Sequence, residues 1–307
     1  MSRVEQMETF VAIADAESLS GAAQSQGIAV SAVSRRLKAL EARLGTTLYL
    51  RSTRRISLTE AGTDFLQKSR QIISDIEDAE NAMVDGQGDL VGRIRIAAPL
   101  TFSTMHLGPV LSRFMALHPE VSMEAELNDR RVDLIAEGFD LAIRVGRLAD
   151  STLIAKKITQ VHHCPCVSPK FIEQNGWPNR PEELSKFPGL MYRTSRSKTT
   201  WPFVRPDGTK GNVNIVGRFA ANNGDILRDA AEAGLGVILE PTFITYTSIL
   251  KGTLIPLFAD HEWSDNAVYA VYAENRSLPR RVRTLIDFLA REFSPEPAWD
   301  RVIKSMI

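Results

Sequence analysis

The stretch from Ser20 to Gly45 leaves this chain few ways to fold. Ser20 is placed to cap a short helix, Gly21, Ala22 and Ala23 are small enough for another helix to cross it closely, and Gly27 suits the tight turn that follows. From about Val30 to Leu44, the residues Val33, Leu37, Leu40 and Leu44 recur on one helical face, with Ser31, Ser34, Arg35 and Lys38 on or near the other. A preceding helix is marked by Val4, Met7, Phe10, Val11 and Ala14 and ends near Asp15. This is a helix-turn-helix pattern whose last helix offers hydroxyls and guanidinium groups to a groove. After Gly45, "LYLRSTRRISL" (48–58) alternates enough for a short hairpin with Arg54 and Arg55 at its tip, a basic wing.

The charge distribution agrees. Over the whole chain 37 Lys and Arg balance 37 Asp and Glu, yet between Val30 and Ile56 seven basic residues (Arg35, Arg36, Lys38, Arg43, Arg51, Arg54, Arg55) face Glu41 alone. Such clustering is the electrostatic footprint of a nucleic-acid contact surface.

The remaining chain is long enough for further domains, since 307 residues correspond to about two domains or a little more. From Thr59, which with Glu60 forms a capping signal, a helix is expected to run to about Asp85 before "GQGDLVG" breaks it. Phe65, Ile72 and Ala79, and Ser69, Ile76 and Met83, each repeat at seven-residue steps, an imperfect apolar seam expected to dimerise. After Gly92 short strands alternate with helices, the mark of an α/β domain with a mainly parallel sheet. Strands are expected at 93–99, 121–127, 140–146, 153–158, 161–168, 189–193, 213–219, 236–239, 254–257 and 268–273, with helices at about 104–117, from near Arg131, at 224–234 and at 279–293. "SRSKTTWPFVRPDGTKG" (195–211) reads as an exposed hairpin around a Pro-Asp-Gly turn.

Composition excludes several classes. Hydrophobic residues at 44% and charged residues at 24% rule out a disordered or collagen-like chain. Cys164 and Cys166 stand one residue apart, too close for a disulfide framework, so a reducing compartment is expected. Glu5, Glu8, Asp15 and Glu17 interrupt the start as no signal peptide would, and no run of 18 apolar residues occurs, so a cytoplasmic protein without a membrane partner is expected.

"AAQSQGIAVSAVSRRLKALEARLGTTLYLRSTRRISLTEAG" (22–62) resembles the LysR-type transcriptional regulators, and "GRIRIAAP", "HPEV", "VDLIAEGFDLAIRVG", "ANNGDILRDAAEAGLGVILEP" and "VYAVYAENRSLPRRVRTLIDFLAREF" continue the likeness to about residue 293. The resemblance implies a winged helix-turn-helix DNA-binding domain over 1–59, a linker and dimerisation helix over 60–88, and an α/β effector domain over 89–307. That domain would have the two-lobed fold of periplasmic binding proteins, lobe I at about 92–163 and 267–295 and lobe II at about 164–266. It further implies a homodimer or homotetramer on promoter DNA, a small-molecule effector, and an influence on RNA polymerase access. Gln26, Ala29 and Val30 stand where members often have Leu, Ser and Pro, which removes a cap worth roughly 0.5–2 kcal/mol unless Ser31 shifts it by two residues.

Arg35 and Ser34, in the first turns of the recognition helix, are the expected base readers, with Val30, Ser31, Arg36 and Lys38 nearby. Arg51, Arg54 and Arg55 are expected on phosphate or in the minor groove. In the effector domain, ligands sit where strands end and helices begin. Pro99, Leu100, Thr101, Phe102 and Ser103 follow one strand, Asn222 and Asn223 precede a helix, Val145 and Gly146 end a third strand, and Thr194, Ser195 and Phe243 are weaker candidates. Hydroxyls and free amides at helix starts favour an anion, so a small carboxylate is the expected effector.

"HHCPC" (162–166) has no metal spacing, and in similar proteins it is a crossing strand between lobes, so no metal or cofactor is expected. With no nucleophile elbow, phosphate loop or zinc signature in context, no enzymatic activity is expected either. The alternatives are a DNA-binding protein responding to thiol redox state through Cys164 or Cys166, or one responding to no effector.

Overall fold

The structure is a computed structural model that describes residues 2–51, 56–84, 89–130, 132–147, 153–193, 200–264, 266–274 and 278–304. It divides into two compact units, Met1–Gly92 with Val132–Phe139, and Arg93–Arg131 with Asp140–Ile307.

In the first unit, helices α1 (Arg3–Ala16), α2 (Leu19–Gln26) and α3 (Val30–Leu44) precede a two-stranded antiparallel ribbon of β1 (Tyr49–Arg51) and β2 (Ile56–Leu58). The long helix α4 (Glu60–Val84) follows. Phe10, Ile13, Ala22, Ala23, Val33, Leu37, Leu40, Leu48 and Tyr49 form the core. Each large side chain buried there contributes about 1.5–3 kcal/mol. Tyr49 donates its hydroxyl to the Phe10 carbonyl at 3.1 Å, which ties the ribbon to α1. Gly27 takes a left-handed φ of +63° at the end of α2, as the turn requires. Glu41, the lone acid of the basic segment, accepts the Leu48 N–H at 2.8 Å and so anchors the ribbon to α3.

Caps differ from the sequence reading. Ser18, not Ser20, caps α2, accepting the Gly21 N–H at 3.0 Å. Helix α3 starts at Val30 with Ala29 at its cap and no side-chain cap bond, so Ser31 does not take over. The extended backbone of Ala29 places its carbonyl for the N–H groups of Ala32 and Val33, and the start holds without a hydroxyl. Thr59 does cap α4, its hydroxyl accepting the Gly62 N–H at 2.9 Å.

The second unit holds two five-stranded sheets. The first contains β3 (Gly92–Ala98), β4 (Val121–Leu127), β5 (Leu141–Gly146), β6 (Leu153–Gln160) and β14 (Ala267–Ala273) in the order β4-β3-β5-β14-β6. The second contains β7 (His163–Val167), β8 (Pro188–Tyr192), β11 (Val216–Ala221), β12 (Val237–Pro241) and β13 (Ile255–Pro256) in the order β11-β8-β12-β7-β13. Both are mixed, not mainly parallel as expected: β3 runs parallel to β5 and β8 to both β11 and β12, but β14 is antiparallel to β5 and β6, and β7 to β12 and β13. The antiparallel strands are those by which the chain leaves one sheet and returns from the other, and such neighbours need no helical crossover.

A helical run of α5 (Leu100–Phe102), one wide turn over Ser103–Leu107 and α6 (Gly108–Leu117) follows β3. Helices α7 (Pro169–Asn175), α8 (Gly224–Glu232) and α9 (Thr242–Leu250) belong with the second sheet, and α10 (Arg280–Glu292) and α11 (Ala298–Lys304) close the chain. The expected exposed hairpin exists as β9 (Thr200–Val204) and β10 (Lys210–Asn214), with Gly208 at a φ of +82°. It is not simply exposed, because Trp201, Phe203 and Val213 pack into a core with Phe171, Val237 and Trp263.

The expected helix near Arg131 is absent among the described residues; 133–139 form turns instead. Asp133 accepts the N–H groups of Ile135 and Ala136, Glu137 reaches back to the Asp133 N–H, and Gly138 at a φ of +70° ends the turn. Side chains here satisfy the backbone locally, in competition with a helix. The strand expected over 161–168 begins only at His163, since Val161 and His162 cross between the sheets. No helix among the described residues is long and apolar enough to cross a membrane.

At Gly62 helix α4 packs tightly on the segment leading into β1: a Cβ there would lie 2.1 Å from the Leu48 carbonyl oxygen. Gly62→Ala should therefore cost on the order of 2 kcal/mol or more of N-terminal stability, whereas Gly27→Ala, which meets open space at positive φ, should cost about 1 kcal/mol. Thermal melts of the two variants check the order.

Candidate functional site

Two regions gather the residues singled out in the sequence. On α3, Val33, Leu37 and Leu40 are fully buried, which turns Ser31, Arg35 and Lys38 outward on one exposed stripe, with Ser34 half-buried at its edge. Val30, at 46% exposure, opens the helix beside them. Arg36 is drawn off this stripe: its guanidinium donates to the Thr9 hydroxyl at 3.1 Å, and that hydroxyl donates to Gln26 at 2.9 Å. Arg43 similarly donates to Gln6 at 3.1 Å, not to Glu41. Arg54 and Arg55 lie outside the described residues, and of Arg51 only the backbone is described.

Along α4, Phe65 packs on Phe10 with ring centroids 5.3 Å apart, so its apolar character serves the N-terminal core. Ile72 is exposed and Ile76 half-buried, and the side chain of Met83 lies outside the description.

The second region lies in the effector domain, between the ends of β3, β8, β11 and β12. Thr101, 6% exposed, donates its hydroxyl to Asp225 Oδ2 at 2.6 Å and receives the Asn223 amide at 3.3 Å. Asn223 also caps α8, accepting the N–H groups of Asp225 and Ile226. Thus Thr101 and Asn223, far apart in sequence, are brought together. Phe102 and Phe243 meet edge-on at 5.3 Å and belong to an aromatic cluster with His106, Phe293 and Trp299. Their place is structural packing between the two sheets' helices. Pro99 is half-buried, Leu100 exposed and Ser103 buried; Asn222 is exposed, and Val145 and Gly146 are half-buried at the end of β5. Thr194 and Ser195 lie outside the described residues.

Acidic groups around Thr101 were not expected. Asp129, exposed to solvent but partly desolvated by its neighbours, accepts the Leu100 N–H; that desolvation, opposed by the bond, and the nearby Asp225 carboxylate raise its pKa. Glu240, on β12, is 2% exposed, and burial followed by repulsion from Asp225 pushes its pKa up to about 8. Tyr192, at the end of β8, is pushed up to about 12 by burial and then by Asp129 and Glu240. Arg228 answers Asp225 at 2.9 Å but is shared with Asp229.

Cys164 and Cys166 are both buried, on the face of β7 toward α8 and α9. A hydrogen bond with Cys164, then burial, raise the Cys166 thiol well above its ordinary range. A buried thiol whose pKa is raised in this way is unreactive.

Comparison with known proteins gives the context. A bacterial regulatory helix-turn-helix family model (lysR family) matches residues 4–63, and the LysR substrate binding domain matches residues 87–294. The chain belongs to the LysR-type transcriptional regulators. It is 34% identical over 284 residues to an HTH-type transcriptional regulator of Haemophilus influenzae, covering 92% of this chain and 98% of that protein. Among solved structures, CrgA of Neisseria meningitidis matches with 29% identity and a TM-score of 0.60, over 96% of this chain and 100% of that one. The Vibrio cholerae virulence activator AphB matches with 27% identity and a TM-score of 0.58, over 94% and 98%. As a LysR-type regulator the chain binds DNA through its helix-turn-helix, carries a two-lobed effector-binding domain and oligomerises.

In this LysR-type chain the missed residues are Asp129, Tyr192, Asp225 and Glu240. Asp225 stands in "NNGD" as an acid in the first turn of a helix, where carboxylates are favoured. Glu240 gave no signal, because one acid in "GVILEP" acquires meaning only from what surrounds it.

Glu240 binds its proton up to about pH 8 in the folded protein but only to about 4.5 when unfolded. Between those values the folded state holds the extra proton, so stability falls as pH rises. Between pH 5 and pH 8 the wild type should therefore lose on the order of a few kcal/mol relative to Glu240→Gln, which carries no such proton. Urea melts of the pair across that range read the difference, and parallel curves would contradict it.

Proposed function

We propose that Arg35 and Ser34 read base edges in the major groove, with Val30, Ser31 and Lys38 beside them, while Arg51, Arg54 and Arg55 engage phosphate or the minor groove. The observation that carries this is the exposed stripe of Ser31, Arg35 and Lys38 opposite the buried Val33, Leu37 and Leu40. A guanidinium on such a stripe can donate to guanine O6 and N7 together. Arg36, held by Thr9, orders the domain and contributes charge.

Dimerisation along α4 uses Ile72 and Ile76, with Phe65 supporting the helix from within its own domain. A small-molecule effector binds between the lobes near Thr101 and Asn223 and shifts the population of lobe arrangements, which alters how the oligomer presents its DNA-binding domains and how RNA polymerase gains access. A carboxylate effector has the Thr101 hydroxyl and the start of α8 in its favour; the Asp225 carboxylate, already bonded to that hydroxyl, weighs against it.

Fluorescence anisotropy on DNA from upstream of the gene, against scrambled DNA, tests the reading. Arg35→Ala should lose about 1–3 kcal/mol of selective binding and relax discrimination, whereas Arg36→Ala should weaken both DNAs alike. Undiminished selectivity in Arg35→Ala would overturn the assignment.

A further inference from the structure

We propose that the effector of this regulator presents a protonated amine to the acidic end of the inter-lobe cleft, between Asp129 on one lobe and Glu240 and Tyr192 on the other. This rests on the effector reading above and names the chemical class of its ligand.

The first support is what already occupies the anion's place. Helix α8 begins at Gly224, and a hydroxyl from the facing lobe points at its first turn, an arrangement suited to a carboxylate. The chain supplies that carboxylate itself: Asp225 accepts the Thr101 hydroxyl at 2.6 Å and Arg228 at 2.9 Å. An anionic ligand would have to displace a bonded side chain and then sit beside two further acids.

The second support is an unused acceptor. Glu240 is 2% exposed, and its Oε1 has no hydrogen-bond partner among the described residues. Its other oxygen abuts the start of α8, since a Cβ on Gly224 would lie 2.9 Å from Oε2. The carboxylate is therefore set beneath the first turn of α8, the turn that meets Thr101 from the other lobe. A buried acceptor without a donor costs about 1–3 kcal/mol or more, a cost that a donor on a ligand removes.

The third support is the balance of charge. The charge bearing on both Asp129 and Glu240 is that of Asp225, another carboxylate, and the phenol of Tyr192 feels Asp129 and Glu240 together. The guanidinium of Arg228 is divided between Asp225 and Asp229. Across the cleft, Ser103 Oγ is likewise buried and without a partner among the described residues. Carboxylates, a phenol oxygen and a hydroxyl are all acceptors, and an ammonium with three donors answers them as no anion can. Glu240, protonated without a ligand, joins these acceptors by giving up its proton as the ammonium arrives.

The test is thermal and calorimetric titration of the full chain with propylamine, putrescine, agmatine and benzylamine. Propanol and benzyl alcohol serve as neutral isosteres, butyrate and benzoate as anions, and magnesium chloride as a simple cation. At least one amine should raise the melting temperature and bind about tenfold or more tighter than its alcohol. Glu240→Gln and Asp129→Asn should each weaken that amine about tenfold, with Asp129 serving as the exposed site whose change leaves folding intact. Stabilisation by butyrate or benzoate with none from the amines would overturn the amine and leave the effector cleft standing. No response to amine, alcohol or carboxylate would overturn both. An equal effect of magnesium, or an undiminished amine response in both variants, would overturn the assignment of these residues.

Discussion

The effector domain depends on the place where its chain crosses twice between sheets. Val161 N–H donates to the Asn266 carbonyl at 2.9 Å, and two residues on, the His163 ring meets the Ser264 hydroxyl at 2.6 Å. These bonds bind the outgoing segment to the returning one, so the two sheets share a short backbone bridge and otherwise meet through side chains. Burial, and then the neighbouring His162, hold the His163 pKa down to about 4, so its ring stays neutral near pH 7 and needs no counter-charge at the bridge. With the bridge fixed, the ends of β3, β8 and β12 can face one another, and a contact such as Thr101 to Asp225 becomes available across the cleft.

That contact is reversible in the way a regulator needs. It is made by short side chains at two helix starts, and exchanging a bond to Asp225 for one to a ligand changes which lobe arrangement is favoured. Single hydrogen bonds of this kind are worth about 0.5–1.5 kcal/mol, or up to about 3 kcal/mol with a charged partner, enough to bias an equilibrium without locking it.

Legibility in the sequence follows the range of the interactions. The helix-turn-helix could be read because its determinants are local: the Gly27 turn, the periodic Val33, Leu37 and Leu40, and the small Ala22 and Ala23. Thr101 and Asn223 could be read as helix starts, since strand ends and caps are written in neighbouring residues. Their partnership could not, because it joins positions more than a hundred residues apart. The same limit explains Arg36, whose engagement by Thr9 lies outside its own helix, and Phe65, whose seven-residue repeat looked like a seam until Phe10 was seen beneath it. At 133–139 local chemistry decided against the helix, through bonds of Asp133 and Glu137 that a periodicity count does not weigh.

Helix α11 lies beyond the family match, which ends at residue 294, and it is firmly held. Asp300, 2% exposed, accepts the Thr242 hydroxyl at 2.6 Å and pairs with His162 at 2.9 Å, while Trp299 sits 4.2 Å from His106 between Phe102 and Phe293. His162 is one of the crossing residues and Thr242 begins α9, so this last helix grips the bridge and the second lobe at once. An excised effector domain trimmed to the family boundary would uncover an aromatic surface and release a hinge histidine. For this chain the autonomous fragment has to be drawn to residue 304 or beyond.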